Sequence, residues 1–110
     1  MQLQEFQKIC KDLLSRVQYP RVGTVIGLQE ELGKLSKTIM DIEIYNKPID
    51  QKVLGRKCVE VFFSFVDLCN SYDINLHDIS IDRIQEVKGK IEKWEKEHGQ
   101  TLRDKREKLD

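Results

Sequence analysis

Four carboxylates stand where helical spacing could bring them to one place. Glu60 and Asp67 lie about two helical turns apart on nearly the same side of one segment, with Ser64 between them. Glu30 and Glu31 belong to the preceding segment, where Glu31 borders a seam of Val25, Leu32 and Ile39 and Glu30 points further out. A short connection around Pro48 favours antiparallel neighbours, and in that arrangement Glu31 and Glu60 converge. Carboxylates on facing helices suit a hard cation such as magnesium, which prefers charged oxygen ligands. The remaining candidates are weaker. His77 and His98 are isolated, without a partner at metal-ligand spacing. Cys58 and Cys69 fall on similar sides of one segment and read as packing residues, since a nucleophile needs a base nearby. Gly23 and Gly27 do not form a phosphate-cradling loop.

The elements that must position these groups read as helices. The chain has 110 residues, 39% of them apolar and none of them alanine, which is the size of one domain. Its punctuation is sparse: Tyr19-Pro20 with Gly23, Asn46 to Pro48, Asn70 to Asn75, and Gly99. Between these breaks lie four stretches of helical length, none with the alternation of a strand, so the sequence predicts an all-α fold. In the first, Leu3, Phe6, Cys10, Leu13 and Val17 make one face. In the second, Val25, Leu28, Leu32, Leu35, Ile39 and Ile42 do the same, while Gly27 and Gly33 either admit a close neighbour or are tolerated.

The third stretch, from Gln51 to Tyr72, is apolar around most of its circumference and is expected to be central and buried. Its polar residues Arg56, Lys57, Glu60, Ser64, Asp67, Asn70 and Ser71 share one arc of roughly 140°. That stripe either faces solvent or forms a site. The phenylalanines at 62, 63 and 65 read as core, or as a stacking surface if they border a site. The fourth stretch, Ile81 to Glu97, repeats an apolar face through Ile84, Val87, Ile91 and Trp94 beside alternating lysines and glutamates. Residues 1–98 are expected to form a single helical domain and 99–110 a charged tail, frayed or separately docked.

Charge and composition exclude several classes. Nineteen basic residues balance nineteen acidic ones, without the excess expected of a DNA, RNA or anionic-membrane binder. No apolar run reaches the roughly 18 residues of a membrane span, and the opening residues are too polar for a secretory signal. These features predict a cytoplasmic protein in which Cys10, Cys58 and Cys69 are reduced.

The run LQEELGKLSKTI (28–39), followed by RKCVEVFFSFVDLCNSYDINL (56–76), resembles the MazG-like, all-α nucleoside triphosphate pyrophosphatases. That family pairs EExxE on one helix with ExxD on the next, and a leucine-glycine-isoleucine-aspartate-leucine turn often follows. Here Glu30 and Glu31 match the leading acids and Lys34 stands at the third; Lys57 stands at the glutamate of the second motif and Glu60 at its aspartate. Tyr72 to Leu76 occupies the turn. Of the family's fourth-helix lysine, asparagine and arginine, Lys90 matches and Trp94 and Glu97 replace the others.

The resemblance implies a four-helix bundle completed as a homodimer or homotetramer, and a magnesium-dependent hydrolysis of a nucleoside triphosphate to the monophosphate and pyrophosphate. Glu31 and Glu60 would be the principal catalytic and metal-binding carboxylates, Glu30 and Asp67 would assist, and Lys34, Lys57 and Lys90 would contact phosphates. The alternative is a degenerate relative that keeps the bundle as a nucleotide-binding or protein-interaction module. An ammonium does not ligate magnesium, but it holds a phosphate oxygen well. A plain helical domain unrelated to nucleotides is a third reading, and it requires the polar stripe to be exposed.

Overall fold

The computed structural model describes residues 1–17 and 20–110, so the Tyr19 side of the first break lies outside the described residues. Four helices follow in order: α1 Leu3–Leu14, α2 Val22–Glu43, α3 Gln51–Ser71 and α4 Leu76–Leu109. The described residues contain no strand, as the periodicities predict. The chain divides into two compact units, Met1–Leu76 and His77–Asp110.

In the first unit α3 packs against both α1 and α2. The hairpin of α2 and α3 is antiparallel. Thr24 and Ser71 line one cleft at one end, and Ile42 and Val53 line another at the other. The covered residues step by threes and fours along both helices: Thr24, Leu28, Glu31, Leu35, Thr38 and Ile42 on α2, and Leu54, Lys57, Val61, Ser64, Leu68 and Ser71 on α3.

This seam differs from the predicted one. Val25, Leu32 and Ile39 are exposed, because α2 is rotated so that Thr24, Glu31 and Thr38 take their places inside. The same rotation appears on α3. Lys57, Ser64, Asp67, Asn70 and Ser71 of its polar stripe are partly covered, while Phe62, Phe63 and Phe65 remain 38–40% exposed. Only Val66 and Cys69 of α3 are buried, so the helix is central to its unit but not enclosed by it. Amphipathicity says that a helix buries one face, yet α3 is apolar on several, and the α1 and α2 contacts select the face that carries its hydrogen-bonding groups.

Local chemistry sets the helix ends. Asp50 caps α3, its carboxylate accepting from the Lys52 and Val53 amides at 3.0 and 3.2 Å. At the other end the Ile74 and Asp73 amides return to the carbonyls of Cys69 and Asn70 at 2.9 and 3.2 Å, a Schellman closure. Asp73 sits at its left-handed position with φ 55°. The Arg21 guanidinium lies 5.2 Å from the Tyr72 ring centroid, tying the start of α2 to the end of α3.

The second unit is α4 alone from His77 onward, and none of its residues is buried. The predicted break at Gly99 is absent, and the residues expected to fray are helical as far as Leu109. A glycine inside a helix costs only about 1 kcal/mol relative to alanine. The surrounding sequence offsets that cost. Gln100 donates to Asp104 at 2.9 Å, Arg106 pairs with Asp110 at 3.5 Å, and Arg106 and Lys108 complement the carbonyl end of the helix.

Candidate functional site

The most tightly specified polar constellation in the first unit centres on Gln7. Steps of four, three and four along α1 place Leu3, Gln7, Cys10 and Leu14 on its covered side, and Gln7 itself is buried. Its Nε2 donates to Asn70 Oδ1 at 3.1 Å and to the Ile74 carbonyl at 2.9 Å. Its Oε1 accepts from the Leu76 amide at 2.9 Å, and Asn70 Nδ2 donates to the Gln7 carbonyl at 3.0 Å. Leu76 opens α4, so its amide is one of the donors that a helix start cannot satisfy internally. One amide side chain therefore joins α1, the end of α3 and the turn beyond it.

Above this network lies a cleft of about 280 Å³ lined by Gln4, Lys8, Lys11, Asp73 and Asn75 among others. Asp67 borders two further clefts of about 240 Å³ each, one with Cys10, Phe63 and Ser64 and one with Lys11, Thr24 and Asn70. Burial pushes the Cys10 thiol above its usual range, and the Asp67 charge adds to the effect. Burial alone does the same for Cys69. These thiols are held neutral, whereas Cys58 is exposed. Phe6 seals the α1 side against Phe62 and Phe63, with ring centroids 4.9 and 5.1 Å apart.

The residues singled out from the sequence are distributed unevenly. Glu31 lies on the covered seam of α2 and Lys57 on that of α3, and both are partly covered. Glu31 accepts from Lys34 Nζ at 3.3 Å, with its own side chain only 20% exposed. Glu30 and Glu60 are exposed, and Asp67 is partly covered beside its two clefts. Lys90 belongs to α4 and is exposed there. Among the described residues, no three His, Cys, Asp or Glu side chains gather where they could hold a metal ion.

A Cβ on Gly27 or Gly33 would meet nothing within 4 Å, so within this chain neither glycine admits a close neighbour. No described helix is long and apolar enough to cross a membrane. No protein-family model, curated protein or solved structure matches the chain. Gln7 was missed because a lone glutamine in an amphipathic helix reads as a solvated residue. The available signal was its spacing, which places it on the covered side with Cys10 and Leu14.

Proposed function

We propose that the chain is a MazG-like helical domain that binds a nucleoside triphosphate through its lysines and has lost the family's hydrolytic chemistry. The observation that carries this reading is the Lys34–Glu31 pair at 3.3 Å. The one glutamate drawn into the α2–α3 seam faces an ammonium supplied by its own helix, where a metal site needs a further carboxylate. Lys57, partly covered on the facing helix, is a second phosphate-holding group at a position the family gives to an acid. A second copy of the chain belongs to the same reading, since Leu32 and Ile39 on α2 and Val59, Phe62 and Phe65 on α3 leave apolar edges exposed. Calorimetry with a panel of nucleoside triphosphates tests it. Binding should survive removal of magnesium and be lost in Lys57→Ala; no binding of any nucleotide with or without the metal rules it out.

The part-covered carboxylates Glu31 and Asp67 favour a second reading, an active magnesium-dependent pyrophosphohydrolase. Magnesium would neutralise the triphosphate, with Glu30, Glu31, Glu60 and Asp67 as its ligands. Within one chain that set is dispersed, so this reading requires movement or carboxylates from another copy. Pyrophosphate release that collapses in Glu60→Gln would establish it, and a flat trace with every nucleotide would remove it.

A further inference from the structure

Helix α4 carries an apolar stripe that neither nucleotide reading uses; of the charged residues beside it, only Lys90 stands among their expected phosphate contacts. Ile84, Val87, Ile91 and Trp94 form a stripe at alternating steps of three and four, each side chain 42–53% exposed, with Ile81 and Leu102 at its margins. The charges flanking the stripe are ordered about its middle. Lys88 and Lys90 precede Ile91, and Glu95 and Glu97 follow Trp94; Arg83 lies towards the start and Asp104 towards the end.

We infer that α4 pairs antiparallel with α4 of a second copy, with the two-fold axis between Ile91 and Trp94. In that register Ile91 of each helix lies against Trp94 of the other, and Val87 against His98. The flanking positions of an antiparallel coiled coil pair with their own kind across the axis, and every such pair is then complementary. Lys88 meets Glu95, Lys90 meets Glu97, Arg83 meets Asp104, and the two marginal apolar residues Ile81 and Leu102 meet each other. The two-fold axis makes each contact twice. A parallel arrangement keeps only one of these attractions, Lys90 against Glu95, and sets Arg83 against Lys88, two like charges, and Glu97 against the apolar Leu102. The occupant of this face is therefore a second copy in one orientation, and the inference stands whether or not the α2–α3 hairpin binds a nucleotide.

A charge-swap experiment on the full chain tests it. Sedimentation should show self-association of the native protein, weakened on the order of a hundredfold in K88E/K90E and equally in E95K/E97K, because each variant turns four attractive contacts into repulsive ones. Mixing the two variants restores every pair. Native mass spectrometry of the mixture should then show the heterodimer well above the statistical half. Retention of the native affinity by either variant alone overturns the pairing, and so does a mixture without excess heterodimer. A helical signal unchanged in both variants separates lost association from failed folding.

Discussion

The two units of the chain use opposite means to specify structure. In the first, few residues are buried, but directional contacts join its helices: Gln7, one of the buried few, makes three side-chain hydrogen bonds, and the part-covered Phe6 meets two rings. In the second, α4 has a regular apolar stripe and no buried residue. Periodicity suffices to make a helix but leaves its neighbour open; a buried amide with particular partners names that neighbour. The contrast predicts that single polar changes act strongly in the first unit and single apolar ones weakly on the fold of the second.

Removing the Gln7 amide is the most severe test. Gln7→Ala leaves the Leu76 amide and the Ile74 carbonyl without their partner and strips Asn70 of an acceptor interaction, and each buried polar group left unpaired costs about 1–3 kcal/mol. A loss of about 3 kcal/mol in the urea-unfolding free energy is expected. Gln7→Glu should be nearly as damaging, since a carboxylate keeps the acceptor for Leu76 but presents a negative oxygen to the Ile74 carbonyl. A midpoint unchanged in both variants would mean that the network does not organise the unit.

The buried thiols give the next effect, and its sign follows from their direction of shift. Burial raises the Cys10 and Cys69 pKa above the ordinary 9.0, so the folded state holds its protons more tightly than the unfolded state does. Their contribution is fully present below pH 9 and is lost as pH climbs past 9 towards the raised values. Urea titrations from pH 7 to 10 should show stability falling at the alkaline end, and the fall should shrink in Cys10→Ser/Cys69→Ser. In the native protein Cys58 should react with a thiol reagent at once and the other two only as the unit opens.

Fold class was legible because the 3.6-residue period and the absence of strand alternation are local properties, and four helices appear where four apolar runs were read. Two things were not. The rotation of α2 and α3 depends on which edge of a broad apolar face a neighbour covers, and periodicity puts Val25, Leu32 and Ile39 on the same face of α2 as Leu28, Leu35 and Ile42 without saying which three go inside. The continuation through Gly99 is hidden because a glycine after a periodic run reads as a stop, although the residues after it form helix well. Of the site, helical spacing puts Glu31 beside the seam and pairs it with Glu60; the structure covers Glu31 and Lys57 partly and leaves Glu60 exposed. The Gln7–Asn70 link was not legible, since it joins residues 63 apart in sequence and no local signal announces it.

Alanine at Gly89 of the second unit and at Gly33 of the first compares the two units more gently. An added Cβ meets nothing within 4 Å at either position. Each alanine should gain about 1 kcal/mol of helix stability. Gly33→Ala should raise the urea midpoint of the first unit, whereas Gly89→Ala should slow amide exchange along α4 and leave that midpoint in place. Equal shifts of the midpoint would show that the two units unfold together.

The smallest change falls on the turn after α3, inside the first unit. Asp73 holds φ 55°, a conformation that strains a residue with a Cβ and suits glycine. The Schellman bonds around it are made by backbone atoms alone, so they survive the loss of its side chain. Asp73→Gly should therefore stabilise the first unit, by about 0.5 kcal/mol, because part of the relieved strain is offset by the greater freedom of glycine in the unfolded chain. Asp73 also borders the cleft above Gln7. A gain in stability would show that the aspartate is kept there against its backbone preference, which places its value in the cleft. A loss would show that its side chain holds the turn, and the directional contacts of the first unit would then extend one residue beyond the Gln7 network.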